Sequence, residues 1–540
     1  MRAGIAATGL VTAATLLGYQ FNNVHHHYHA QLAKHRMLTS VQEASSLQVH
    51  VTVKRDSMQM FGSNEYSLIA TPVITTEADG SQSVRYNGVT AFMKDGVQHT
   101  YRLVDGVTYY QTKNQQAGFA QESTECLTAS SLPPVKDMLE ALNAAKPITK
   151  VESSESISCE GKLLSTSLNG SPFVICAASD ASKGFKVYGS DFNVDVTYLS
   201  SKIEIPKPAM SAEQAEACAK TPAAAKLTTS TANLITGTTS GAVSQVLSNQ
   251  EATAVLPKAT CSCTGAKRPC LFIHGLGQKT DGGLADSFDY FGDIKNHAPC
   301  CSSIKFALLD TVNNAWYSDT LENKVCNYAL SMSSSSSTST KTVANTIIVT
   351  HSMGNLILGG AIASGKCSLA STSSWVGLSG PMIGSMGADY LQTTCANGGL
   401  LGGLASLFGG CPANTAIKSM SYEGEKYCPA DLKTKYDAAQ AAYTSKVSAV
   451  MCSNAVDGLL STDQFVLKLG ASVIPHKSSE NDGVVEYQSC RAGLATSKFS
   501  NTYTSKFYVT KLNHLDTTFR HGDALIQTSQ MPVKWFECLF

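Results

Sequence analysis

A serine hydroxyl attacks a carbonyl carbon only when it is exposed, held beside a base and faced by donors that receive the developing oxyanion. Thr350-His351-Ser352-Met353-Gly354 has the setting for such a serine. It follows the apolar run Ile347-Ile348-Val349 and precedes a stretch of small and apolar residues from Met353 to Ala363. A strand that feeds a helix through a sharp turn projects the residue at the turn. Crowding there demands small residues two positions before and two after, which is the physical content of the G-x-S-x-G pattern. Gly354 meets the demand, whereas Thr350 places a β-branched residue on the other side.

A second turn, His274-Gly275-Leu276-Gly277, closes another apolar run, Cys270 to His274. If both runs are neighbouring strands, the backbone N–H groups of Leu276 and Met353 converge on Ser352 as an oxyanion hole. The acid and base are expected downstream. Asp482 sits in Ser479-Glu480-Asn481-Asp482-Gly483-Val484-Val485, a turn that reads as running into an apolar strand. His514 sits in Lys511-Leu512-Asn513-His514-Leu515-Asp516, in a loop after the alternating run from Ser505 to Thr510. Asp457 and Asp463 are the rival acids and His521 the rival base. His351 is expected to pack beside the turn rather than to act in catalysis.

Around these residues the chain changes rhythm three times. From residue 45 to 205 short runs of period two alternate with Asp79-Gly80, Asn87-Gly88, Asp95-Gly96 and Asp105-Gly106, the marks of an antiparallel meander. A helix is expected from Val135 to Ala145. The segment 206–260 is an Ala/Ser/Thr-rich linker, with a helix over Ala212 to Lys220. From 261 to 540 continuous apolar strands alternate with helices, the pattern of an α/β domain whose mostly parallel sheet is covered by helices on both faces. The Ser/Thr tract from Ser331 to Thr340 reads as an exposed loop.

The 540 residues suffice for two domains, and the 43% of hydrophobic residues exclude a wholly disordered chain. Lysine plus arginine and aspartate plus glutamate both number 41, so no global field favours nucleic acid. Charged residues are 15% of the chain, which leaves a surface made polar by Ser, Thr, Asn and Gln. The 17 cysteines point to an oxidising compartment and to disulfides, with at least one thiol left over because the count is odd. Zinc on Cys261, Cys263 and Cys270 is the alternative, though the C-x-C spacing does not match the usual clip. Arg2 and the apolar run from Ala3 to Tyr19 suggest a signal peptide or uncleaved signal anchor over residues 1–24, and hence a secreted or surface-anchored protein. Asn169-Gly170-Ser171 is the lone N-x-S/T acceptor, with Pro172 directly after it.

Taken together, the HGLG turn, the x-H-S-M-G turn, the S-x-N-D-G-V-V turn and the N-H-L-D loop resemble the bacterial triacylglycerol lipases and the lipase branch of the α/β-hydrolases. The low-charge, cysteine-rich style also resembles secreted lipase-like proteins of oomycetes. The resemblance spans roughly residues 269–523. It implies an α/β-hydrolase fold over 261–540 and a serine hydrolase of carboxylic esters, in which Ser352, His514 and Asp482 form the triad and Leu276 and Met353 the oxyanion hole. It implies a lipid or other ester substrate and no cofactor. Asp516 matches a position that binds calcium in the similar bacterial lipases, but the second carboxylate of that site has no counterpart in this sequence, so Asp516 is read first as an exposed or capping residue and a structural calcium is left without support. The glycine-flanked apolar stretch from Leu400 to Phe408 is expected to be an interfacial lid or a fixed cap. Acyl transfer, deacylation of a glycolipid anchor, and a binding protein on an inactive hydrolase fold are the alternatives. The role and partner of the β-rich domain over 45–205 are not indicated.

Overall fold

A computed structural model describes residues 28–78, 80, 82–114, 122–127, 135–219, 252–279, 281–397, 411–461 and 463–540. The signal segment, most of the Ala/Ser/Thr-rich linker and the stretch from Leu400 to Phe408 lie outside the described residues. The chain divides into two compact units, residues 1–259 and 260–540.

The second unit is built on seven strands, β1 (Arg268–Ile273), β2 (Gly283–Ala285), β3 (Cys301–Leu308), β4 (Ile347–His351), β5 (Ser374–Leu378), β6 (Val447–Ser453) and β7 (Phe507–Thr510), in the order β2-β3-β1-β4-β5-β6-β7. All neighbouring strands run parallel except the edge pair β2 and β3. Why the apolar runs are continuous is visible in β1. Leu271 and Ile273 enter one core, Cys270 and Phe272 the other, and all four side chains are fully buried. A strand covered on both faces has no solvent side on which to place polar residues.

Helices α1 (Asp319–Ser331), α2 (Met353–Ala363) and α4 (Ala430–Lys446) cover the first face through Val325, Leu356, Ile357 and Tyr436. Helix α5 (Pro532–Glu537) and a one-turn helix at Asp289–Phe291 cover the second through Trp535, Phe536 and Phe291. Helix α3 (Met386–Ala396) follows β5. Burying each large aliphatic side chain stabilises by about 1.5–3 kcal/mol. Helix α2 has Leu356, Ile357, Leu358 and Ala361 with no exposed surface, so it is held by packing on all sides rather than along one stripe.

The first unit is dominated by an eleven-stranded sheet whose described ladders are all antiparallel. Its hairpins turn at Asp95-Gly96 and Asp105-Gly106, where both residues of each pair have positive φ, as a tight two-residue turn requires. Asn87-Gly88, read as a turn, lies inside the strand Gln82–Lys94 instead. Asn87 pairs with Thr71, and its side-chain oxygen accepts the Asp105 N–H. Its side chain thus supports the neighbouring turn without itself reversing the chain. Helices occupy Val135–Ala144 and Ala212–Ala219.

Eight disulfides and one free thiol, Cys428, account for the cysteines. Cys126–Cys218 and Cys159–Cys176 lie within the first unit. The other six lie within the second, and among them Cys261–Cys538, Cys263–Cys300 and Cys270–Cys301 consume the three cysteines considered for zinc. This density of disulfides is consistent with an extracellular protein. No described helix is long and apolar enough to cross a membrane.

Candidate active site

Strand β4 and helix α2 meet at Ser352, whose φ of 52° and ψ of −127° lie where non-glycine residues are rarely found. Such a conformation costs on the order of 1–3 kcal/mol and persists only where its surroundings impose it. The Ser352 N–H is held by the Leu378 carbonyl at 2.9 Å, and the Ser352 carbonyl accepts the Asn355 N–H at 3.0 Å. The Asn355 side chain adds further contacts. Its Nδ2 lies 3.2 Å from the carbonyls of Thr350 and Ser352 and 3.0 Å from that of Leu378. Its Oδ1 accepts the Thr350 hydroxyl at 2.6 Å, and that hydroxyl accepts the Trp375 indole N–H at 2.7 Å.

This network explains the departure at Thr350. The side chain is fully buried and is turned into a hydrogen-bonded relay, so the methyl and hydroxyl have a place that a bulkier residue would lack. The demand for a small residue at Gly354 is strict. A Cβ there would stand 2.8 Å from the His274 carbonyl oxygen and 2.9 Å from that of Ile273.

The serine meets a histidine and a carboxylate brought from distant parts of the chain. His514 Nε2 lies 3.0 Å from Ser352 Oγ, and His514 Nδ1 lies 2.7 Å from Asp482 Oδ2. The other Asp482 oxygen accepts the N–H groups of Val484 at 3.0 Å and Val485 at 2.7 Å. The His514 N–H also donates to the Asp482 carbonyl at 2.9 Å. All three residues are buried, with 6%, 1% and 6% of Ser352, Asp482 and His514 exposed, a degree of water exclusion that strengthens each of these hydrogen bonds. Val484 and Val485 do not start a strand, as their sequence suggested. A one-turn helix begins at Tyr487, and the two valines spend their backbone donors on the carboxylate instead of on a ladder.

Leu276 lies in the turn after β1, and its side chain borders the cavity in front of Ser352. Met353 is the first residue of α2, where a backbone N–H has no acceptor within its own helix. The remaining cavity wall is apolar apart from Ser385 and Tyr290, with Leu391, Ile417, Met420 and Leu467 among its lining residues, and its open space is about 640 Å³ including solvent at the mouth.

The rival residues gather at another place. His521 Nδ1 lies 2.6 Å from Asp516 Oδ1, and His521 Nε2 lies 3.4 Å from Asp463 Oδ2. The second Asp516 oxygen accepts the Leu459 N–H at 2.7 Å. With one oxygen on a histidine and the other on the backbone, Asp516 is already coordinated by the protein. Among the described residues no group of three His, Cys, Asp or Glu side chains is placed to hold a metal ion. Asp457 contacts Gln464 through its backbone carbonyl.

No family model matches the chain, and no curated protein matches it. Among solved structures it is similar to a lipase of Staphylococcus hyicus at 12% identity and a TM-score of 0.30, covering 52% of this chain and 95% of that one. It is similar to a metagenomic carboxyl esterase at 12% identity and a TM-score of 0.30, covering 53% and 76%. A lipase-esterase related protein of Clostridium acetobutylicum aligns at 16% identity and a TM-score of 0.22, covering 39% and 84%. Likenesses this slight assign no activity, and the chemistry must come from the site.

Sequence reading missed Asn355 and Tyr290. Asn355 carried a signal, as a lone amide at the start of the apolar run from Leu356 to Leu358. Tyr290 carried none, because it belongs to a one-turn helix with no periodicity to read. Its hydroxyl accepts the Gly275 N–H at 3.1 Å and lies 2.6 Å from His351 Nδ1.

Proposed function

We propose that the second unit is a serine hydrolase of carboxylic esters, with an apolar acyl group as the preferred substrate portion. The observation that carries this reading is the continuous contact from Asp482 through His514 to Ser352 at the floor of an apolar cavity. Ser352 Oγ attacks the acyl carbonyl carbon while His514 Nε2 takes its proton. Asp482 stabilises the imidazolium and holds its orientation. The N–H groups of Leu276 and Met353 receive the oxyanion. Collapse of the tetrahedral intermediate breaks the ester C–O bond, and His514 returns the proton to the leaving alcohol. Water then enters and its oxygen attacks the acyl carbon while His514 takes its proton; collapse of the second tetrahedral intermediate breaks the Ser352 Oγ–acyl bond, releases the acid, and His514 returns the proton to Ser352 Oγ.

The paired cysteines support placing this chemistry outside the cell. The reading is tested by incubating the full chain with a fluorophosphonate probe and mapping the labelled peptide, alongside hydrolysis of p-nitrophenyl esters of increasing acyl length. Labelling at Ser352 that disappears in Ser352→Ala, together with ester hydrolysis, is expected. An unlabelled Ser352, or a Ser352→Ala chain that still hydrolyses the esters, overturns the reading.

A further inference from the structure

Tyr290 and His351 make contacts that the triad does not need. The Gly275 N–H can only donate, so the Tyr290 oxygen accepts it and the phenolic proton is free to point at His351 Nδ1, 2.6 Å away. At the far side of the ring, His351 Nε2 lies 3.1 Å from the carbonyl oxygen of His514, which can only accept. Both ends therefore assign the same neutral tautomer, with the proton on Nε2. Burial holds the His351 imidazole well below its ordinary range, with the neighbouring His514 acting in the same direction.

The chain of bonds runs from the turn carrying Leu276 to the main chain of the base. The His514 carbonyl also accepts the Thr517 hydroxyl at 2.8 Å, and the His514 N–H is held by Asp482, so His514 is fixed on both sides of its Cα. Tyr290 is braced in turn by Arg520, whose guanidinium stands 5.2 Å from the ring centre and donates to the Tyr290 carbonyl at 3.2 Å. Space is tight as well. A Cβ on Gly275 would come within 2.8 Å of the Tyr290 hydroxyl and 2.6 Å of Ser352 Cβ.

We propose that Tyr290 and His351 are positioning residues that tie the oxyanion-binding turn to the backbone of His514, so that base and oxyanion donors keep one geometry around Ser352. Neither stands in the line of contacts from Asp482 through His514 to Ser352. Their action is to remove slack: a misplacement of about 1 Å at reacting groups costs as much as a hundredfold in rate. The proposal rests on the serine-hydrolase reading.

The test measures kcat, KM and thermal midpoint on a short soluble p-nitrophenyl ester, with the rate of fluorophosphonate labelling recorded beside them. Tyr290→Phe keeps the ring and removes the bridging oxygen. Its kcat and labelling rate are expected to fall about tenfold to a hundredfold while KM stays within about twofold. His351→Leu should fall similarly. His351→Gln offers an acceptor and a donor in place of the two ring nitrogens and should recover most of that loss. Wild-type kcat in Tyr290→Phe overturns the proposal, as does His351→Gln performing no better than His351→Leu at matched thermal midpoint. If Tyr290→Phe does not fold, the His351 pair decides alone. Failure of wild-type Ser352 to label brings down the hydrolase reading and this proposal together, whereas a labelled Ser352 with indifferent Tyr290 and His351 variants removes only the latter.

Discussion

At the scale of residues, the proposed triad of Ser352, His514 and Asp482 predicts effects that cannot be added. Once the nucleophile is gone the base has nothing to deprotonate, so Ser352→Ala and His514→Ala should each lower kcat by about 10⁴–10⁶-fold and the double variant by little more. Single-turnover and steady-state rates on one ester check this, and multiplicative losses would show that the two residues do not act as a unit. Asp482→Asn should cost about 10³–10⁴-fold, because the amide presents the imidazole with the wrong hydrogen-bonding partner. An equal loss in Asp457→Asn would move the acid's role to that residue.

At the scale of elements, the sharp turn between β4 and α2 is spanned by the Asn355 side chain, which reaches the carbonyls of Thr350, Ser352 and Leu378. Asn355→Leu leaves the carbonyls of Thr350, Ser352 and Leu378 without that donor in a site closed to water. The Leu378 and Ser352 carbonyls keep their backbone donors, whereas the Thr350 hydroxyl loses its Asn355 acceptor. Leaving a buried group unpaired costs about 1–3 kcal/mol, so a loss of about 1–3 kcal/mol is expected from urea unfolding at 25 °C, with activity falling in the same variant. Unchanged stability would mean the turn is held by other contacts. This is also where legibility in the sequence ends. The strands around Leu271 and Ile348 and the helix from Met353 were readable because burial on both faces writes an unbroken apolar run. The hairpins at Asp95 and Asp105 were readable because positive φ calls for those residue pairs. Asp482 was found for its turn, yet the strand expected after it was wrong, since Val484 and Val485 cap a carboxylate and an apolar pair does not record where its N–H groups point. Tyr290 and Thr350 act through partners distant in sequence, and no local pattern encodes such a partner.

At the scale of the whole molecule, buried titratable groups set how stability responds to acid. His274 is held neutral, with Nε2 accepting the Leu309 N–H and Nδ1 facing the Gly275 carbonyl, and burial lowers it from 6.5 to about 4. The unfolded chain binds that proton first. The stability this group contributes is therefore complete above pH 6.5 and is lost as pH falls to about 4, a change of about 3 kcal/mol. Asp389 acts in the opposite sense. Burial raises it from 3.8 to about 6 despite the Tyr422 N–H it accepts at 2.7 Å, so its contribution is complete below pH 3.8 and is lost as pH rises through about 6. Between pH 4 and 6 the two slopes oppose each other. Asp389→Asn keeps an acceptor for Tyr422 and removes one slope, so its thermal midpoint should fall more steeply than wild type on acidification from pH 6.5 to 4. Parallel curves for the two proteins would exclude Asp389 as the counterweight.

The bond between Cys261 and Cys538 has a mechanical meaning as well. It joins two positions 277 residues apart whose Cα atoms are separated by 5.1 Å. Tension entering the second unit at residue 538 and leaving at residue 261 therefore passes through a single covalent link, and the seven-stranded sheet carries none of the load. Stretched between those points in a force-extension experiment, the oxidised unit should lengthen hardly at all. After reduction of its disulfides the same pull should unravel the sheet and release roughly 900 Å of chain. Yielding of the oxidised unit at forces that unfold ordinary domains would show that the link does not shield the fold.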